Sequence, residues 1–467
     1  MNILLITDAI APLSGRSARA QVAGALPKAL KSLDHQPFVL SPLYKSIDPK
    51  EHSLARRLTK LKHNFAGADW ACELWTGRTV GGAELIFIGH EELFHAADAI
   101  DAGDEATIAK RVGAFVRSAV VLLEKNEQEL DAIHAHGWLG AAVLAAAKNA
   151  GLPFRRVLTV HDTTDNRVFG AKHAETLGLG TTGETNPLLL GLAAADAVNV
   201  ASDSTDLKPL GYEGDAQTIR SGVDSATWNP LTDPHIPARF DPIDVDGKVE
   251  CKAHLQVELD FPERAEVPLL VALGQEGSRD GLDLLAKCAS EILRNDVQLL
   301  VVVEGAVSEA FSAVFTELQT RWPDRLQFRS DVSTKLLHSA IAGADLALLP
   351  SPSAPTAERA LIAQRYGSVP VARRHGAFAE AIVDCDAKLT TGNGILFDDA
   401  SAEGVLAGAR RGIAAFAENE AFAGLRSRVM RVDATWDRSA RLYERLYTAP
   451  KAPVVESEED TKEDAES

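Results

Sequence analysis

Short runs of β-branched residues and leucine alternate with longer helix-period segments along almost the whole of this chain, and the alternation stops only once. In the first half, residues 2–7, 37–41, 84–89, 132–135, 156–160, 197–201 and 216–219 read as strands, with helical patterns at 18–32, 106–125 and 139–150. In the second half, 268–273, 298–304, 325–328, 346–349 and 369–371 read as strands with helices between them. Alternation of this kind predicts an α/β fold with parallel sheets covered by helices on both faces. Between Gly222 and Pro262 the pattern lapses, and Asp233-Pro234, Ile236-Pro237 and Asp241-Pro242 are turn signals of a linker. The expectation is two doubly wound, Rossmann-like domains, one over 1–235 and one over 236–449, with an acidic disordered tail over 450–467. Ligands of such sheets sit beyond the carboxyl ends of the strands, here in a cleft between the domains.

At 467 residues the chain exceeds one ordinary core, in keeping with two domains. Its net charge is −18, and the tail from Glu456 contributes seven acids against Lys462. The body is acidic as well, so nucleic acid and an anionic membrane surface are expected to be poor partners. An anionic sugar nucleotide would need a local cationic pocket. The four cysteines, at 72, 251, 288 and 385, are scattered without C-x-x-C spacing, which argues against disulfides and zinc and for a reducing cytoplasm. Met1–Pro12 lacks a basic region and contains Asp8, which argues against a signal peptide, and Met1–Thr7 reads as a buried first strand. No apolar run is long enough to span a bilayer.

A set of short motifs occurs in a fixed order: Ala11-Pro12-Leu13, Val22-Ala-Gly-Ala-Leu-Pro27, His134-Ala-His-Gly-Trp138, Thr159-Val-His-Asp162, Gly222-Val-Asp224 with Trp228-Asn-Pro230, Ala342-Gly-Ala-Asp345, Arg365-Tyr-Gly367, and Trp436 with Ser439-Ala440 and Tyr443. The set resembles the bacterial glycogen and starch synthases over residues 1 to about 447. That resemblance implies the GT-B architecture, with an acceptor-side first domain, a donor-side second domain and a last helix that crosses back to the first. It also implies transfer of glucose, with retention, from ADP-glucose to an α-1,4-glucan. The transition state of that reaction places a dianionic diphosphate beside a cationic sugar ring, and preorganised cations and donors must stabilise it.

Against the family pattern, the departures fall on those parts. The loop K-T-G-G-L-A-D is Gly15-Arg-Ser-Ala-Arg-Ala-Gln21, without the lysine, the paired glycines or the aspartate. In S-R-L-x-x-Q-K-G-x-D the arginine falls on Gln275 and the lysine on Asp280, while Gly281 is kept. The donor-sugar carboxylate of E-P-C-G-L-T-Q falls on Ala354, and its glycine on Ala357. G-G-L-A-D becomes Gly376-Ala-Phe-Ala-Glu380, the acceptor-side aspartate becomes Gly137, a base-packing aromatic aligns with Val332, and the stretch from Ser204 to Ile219 is shorter. Losses on both walls with the scaffold kept imply a catalytically silent homologue that binds α-glucan or an active glycogen synthase. The alternative is an active retaining glycosyltransferase with a rebuilt donor site, using ADP-glucose or another sugar nucleotide as donor and no further cofactor.

Candidate cleft residues follow from both readings. His161 is kept where relatives use it against the donor sugar, or else it fills the strand end. Arg16, Arg19, Arg279 and Arg359 could relocate the missing charge, or form ion pairs, for instance Arg279 with Asp280 or Glu276. Arg373 and Arg374 are retained, either near the cleft or as strand-end ion pairs. His134 and His136 share one strand face by the period of two, where packing is expected ahead of metal binding, and no metal is expected.

Overall fold

Asn2–Ile6 (β1) is the pivot of the first sheet, and Ile3, Leu4, Leu5 and Ile6 are at most 1% exposed. A strand buried on both faces needs this continuous apolar run. A computed structural model describes residues 1–448 apart from 16, 66, 80, 164, 165, 204, 278, 279, 306, 331 and 355. After β1 come Gln36–Pro42 (β2), Ala55–Arg56 (β3), Leu61–Phe65 (β4), Ala68–Arg78 (β5) and Glu84–Gly89 (β6). Ala132–His136 (β7), Arg155–Val160 (β8), Ala197–Val200 (β9) and Ala216–Thr218 (β10) complete the sheet. Its order is β10-β9-β8-β7-β1-β2-β6-β5-β3, with β4 on β5. The strands from β10 to β6 run parallel.

The β3–β5 edge departs from the expected parallel pattern: β5 runs antiparallel to β6, and both β3 and β4 run antiparallel to β5. The reason lies in its burial. Leu61 and Cys72 pack into the first core, whereas Ala55 and Arg56 are exposed, so this edge has one dry face and no continuous apolar run. Antiparallel strands tolerate one wet face, and parallel ones rarely do.

The second sheet comprises Leu269–Gly274 (β11), Gln298–Val303 (β12), Leu326–Arg329 (β13), Leu346–Leu349 (β14), Val369–Arg373 (β15) and Ile395–Phe397 (β16). Its order is β13-β12-β11-β14-β15-β16, all parallel. The chain winds outward from β11 to β13 and then returns to the other side of β11 as β14. The turns after β11 and β14 therefore part in opposite directions, and the crevice between them is the natural ligand position.

Two crossings tie the domains. Val223, Trp228 and Phe240 pack with the second core, so the segment around residue 235 sits on that domain. The final helix, Trp436–Thr448, instead buries Trp436, Ala440, Tyr443 and Tyr447 with Ile3, Leu5 and Val22 of the first. The crossings run side by side as a parallel bridge between Val223 and Thr435, where the Val223 amide donates to the Ala434 carbonyl at 2.6 Å. A Cβ on Gly222 would lie 2.6 Å from the main-chain nitrogen of Trp436, so only glycine allows this approach.

A buried hydrogen-bond chain secures the final helix. The Thr159 hydroxyl donates to Asn199 Oδ1 at 2.7 Å, so its oxygen accepts from His134 Nε2 at 2.7 Å. That tautomer leaves His134 Nδ1 to accept from the Tyr447 hydroxyl at 2.8 Å, and Asn199 Nδ2 donates to the Tyr443 oxygen at 3.3 Å. Both ends of the chain are tyrosines of the final helix. His134 is thus a structural residue with both nitrogens used, and burial drives its pKa well below the usual range, keeping the ring neutral.

Candidate functional site: the cleft walls

On the second-domain wall, β11 is followed by Gln275 and Glu276, and Asp280 and Gly281 precede the next helix. Gly281 takes φ +71° at the head of the helix Leu282–Ile292, and a Cβ there would meet the Pro350 carbonyl at 2.1 Å. Retention of this glycine is therefore a packing requirement between the turns after β11 and β14. The Asp280 carboxylate accepts from the Gln275 amide at 2.7 Å. A free amide at a strand-to-helix turn is the group that would cradle a phosphate oxygen, and here an internal carboxylate already occupies it. The Glu276 carboxylate accepts from the amide and hydroxyl of Ser308, both at 2.5 Å, at the head of the helix Glu309–Arg321.

The neighbouring charges are acidic. Arg359, in the helix Glu358–Arg365, lies 2.8 Å from Glu304 Oε2 and 3.6 Å from Asp280 Oδ2. Its charge is engaged by two carboxylates. Burial pushes the Glu358 carboxyl up to about 7; Arg359 pulls it down and Glu304 raises it. Ala354 adopts φ +40°, is 1% exposed, and accepts at its carbonyl from Ala377 N at 2.9 Å. The turn after β14 thus contacts the helix Gly376–Ala381 through main chain, with no carboxylate at this position.

On the first-domain wall, Gly15 takes φ +81° ahead of the helix Ala18–Lys31, which Ser17 caps by accepting from Ala20 N at 3.2 Å. Arg19 grips Asp8, just beyond β1, through Nε at 2.5 Å and a terminal nitrogen at 2.7 Å. Its guanidinium fork is thereby engaged by a carboxylate of the same wall. His161 is 5% exposed and its Nε2 lies 3.1 Å from His136 Nδ1. Among the described residues, His161 Nδ1 and His136 Nε2 are buried without a hydrogen-bond partner. Burial first, then the neighbouring His136 and the Arg19 charge, hold His161 well below its usual pKa, and burial followed by Arg19 lowers His136 to about 3. Two neutral rings sharing one hydrogen bond leave one N–H and one lone pair unused. That combination suits a neutral hydroxyl or water better than an anion.

The remaining sequence candidates separate. Arg373 donates to the carbonyls of Asp398, at 3.1 Å, and Pro352. Arg374 pairs with Asp398 at 3.0 Å and Asp384 at 2.9 Å. Both bind neighbouring turns at the strand end. Arg16 and Arg279 lie outside the described residues. Sequence reasoning missed Asp8, Glu304 and Glu358. Glu304 directly follows β12 and Asp8 lies two residues past β1, where the rule of strand carboxyl ends would have flagged them.

Two Rossmann-like domains, with the cleft formed by the turns at their strand ends, define a protein of the GT-B glycosyltransferase class. The comparisons narrow that class. A family model of the starch synthase catalytic domain matches residues 2–208. The glycogen synthase of Anaeromyxobacter sp. (strain Fw109-5) is 32% identical over 97% of this chain and 100% of its own. That of Anaeromyxobacter dehalogenans (strain 2CP-C) is 32% identical over 96% and 99%. Among solved structures, the catalytic domain of starch synthase IV from Arabidopsis thaliana, bound to ADP and acarbose, superposes with a TM-score of 0.85 at 23% identity, covering 96% of this chain and 98% of that one. Sucrose-phosphate synthase from Thermosynechococcus elongatus gives 0.63 at 16% identity, covering 96% and 100%. The chain belongs to the glycogen synthase family.

Proposed function

We propose that this protein serves α-glucan metabolism as a silent member of its family, binding glucan or an active glycogen synthase rather than transferring glucose. The observation that carries this reading is the Asp280 carboxylate on the Gln275 amide, with Arg359 engaged by Glu304 and Asp280 beside it. A departing diphosphate would meet carboxylates where it needs donors, and loss of even one such donor costs about 10²–10³ in rate. The four buried free thiols fit a reducing cytoplasmic setting.

A second reading has its own support. Glycogen synthases align with this chain from end to end, which favours an active retaining glycosyltransferase that uses ADP-glucose or another sugar nucleotide. Transfer of radiolabelled glucose from ADP-glucose and UDP-glucose to glycogen separates the two. The silent reading expects no label above the enzyme-free blank, together with co-sedimentation of the protein with glycogen or its capture with a synthase. Transfer within a few hundredfold of an active family member, assayed in parallel, would establish the second reading.

A further inference from the structure

We infer that Glu380 is a latch between the two domains, so that access to the cleft is set by a contact built from the chain's own side chains. Glu380 lies on the helix Gly376–Ala381 of the second domain, and its side chain is 11% exposed. Oε1 accepts from the Ser202 hydroxyl and from the Asp203 amide, each at 2.7 Å. Oε2 accepts from Arg220 Nε at 2.6 Å, and Arg220 pairs in turn with Asp203. Ser202 and Asp203 follow β9 and Arg220 follows β10, so all three belong to the first sheet's strand ends. One carboxylate thus joins two turns of one domain to a helix of the other, with both oxygens in use. Charge-assisted bonds of this number and geometry are stronger than an isolated surface ion pair.

The latch is also coupled to the donor crevice. A Cβ on Gly376 would lie 2.6 Å from the carbonyl oxygens of Ser353 and Ala354, so the head of the latch helix is seated directly on the turn after β14. The Ser439 hydroxyl donates to the Arg220 carbonyl at 2.5 Å and fixes the other partner to the final helix. Parting the domains requires Glu380 to release three donors, whichever functional reading holds.

The test is single-molecule energy transfer on the full chain carrying Glu127→Cys and Asp324→Cys. Both positions are exposed, one in each domain, and the four native cysteines are buried. Glu380→Ala and Arg220→Ala are each expected to shift the distribution to lower transfer at low salt. About 1 M salt, where screening acts over about 3 Å, should move the parent the same way. Glu380→Gln keeps the side-chain shape and should give the same shift if the alanine variant folds poorly. A parent and folded variants with superimposable distributions at low salt would overturn the latch, because a carboxylate that merely orders the turn at 202–203 would leave the interdomain distance unchanged.

Discussion

Asp280 sets the chemistry of the turn after β11. A lysine there would project a charge into the crevice, whereas the aspartate turns back 2.7 Å from the Gln275 amide. The substitution was legible in the sequence, since Gly281 fixes the register of the turn. The turning back was not, because it depends on a backbone shape that the same letters could avoid. Glu358 was missed for a related reason: its burial comes from the fold and not from its neighbours in sequence. Its carboxyl sits at about 7 in the folded chain, chiefly through burial, against about 4.3 unfolded. The folded state then binds more protons between those values, so this group makes stability fall as pH rises from about 4 to 7. Glu358→Gln is expected to raise the unfolding free energy at pH 8 by on the order of 1–3 kcal/mol. The gain should vanish near pH 4, as denaturant melts at both pH values would show. The buried His134 and His136 act with the opposite sign, since their lowered pKa values make stability fall as pH drops below about 6.5. A comparison of variant with parent is therefore needed to isolate Glu358.

At the level of elements, the strands with continuous apolar runs were legible, and β1, β12 and β14 end within about a residue of where their patterns stop. The β3–β5 edge was not, because one wet face breaks the run and β3 is only two residues long. The final helix was visible as Trp436, Ser439, Ala440 and Tyr443, but its tether was not. Tyr447 and His134 are 313 positions apart, and no local pattern couples them. Removing the Tyr447 hydroxyl leaves His134 Nδ1 buried without a donor. Tyr447→Phe should therefore destabilise the protein by about 1–3 kcal/mol. A fall in the denaturant midpoint at unchanged slope would show this. An unchanged midpoint would mean that a water replaces the hydroxyl.

Across the whole molecule, the two-domain reading rested on one lapse in a repeating pattern, and the two sheets lie on either side of it. The cleft was harder to read, since its charges come from turns far apart in the chain: Asp8 with Arg19 on one wall, and Glu304 with Asp280 and Arg359 on the other. Counting lost family cations in the sequence suggests a weakened donor site. In the structure Arg359 pairs with Glu304 and Asp280 on one wall, and Arg19 with Asp8 on the other. If the second-domain wall does not hold a nucleotide diphosphate, calorimetric titration of the full parent chain with ADP gives no saturable heat up to about 1 mM. The Gln275→Arg, Asp280→Lys double variant, which frees the amide and restores two cations, is expected to bind ADP measurably, at least about tenfold tighter. Saturable binding of ADP to the parent at micromolar concentration would contradict this reading of the wall.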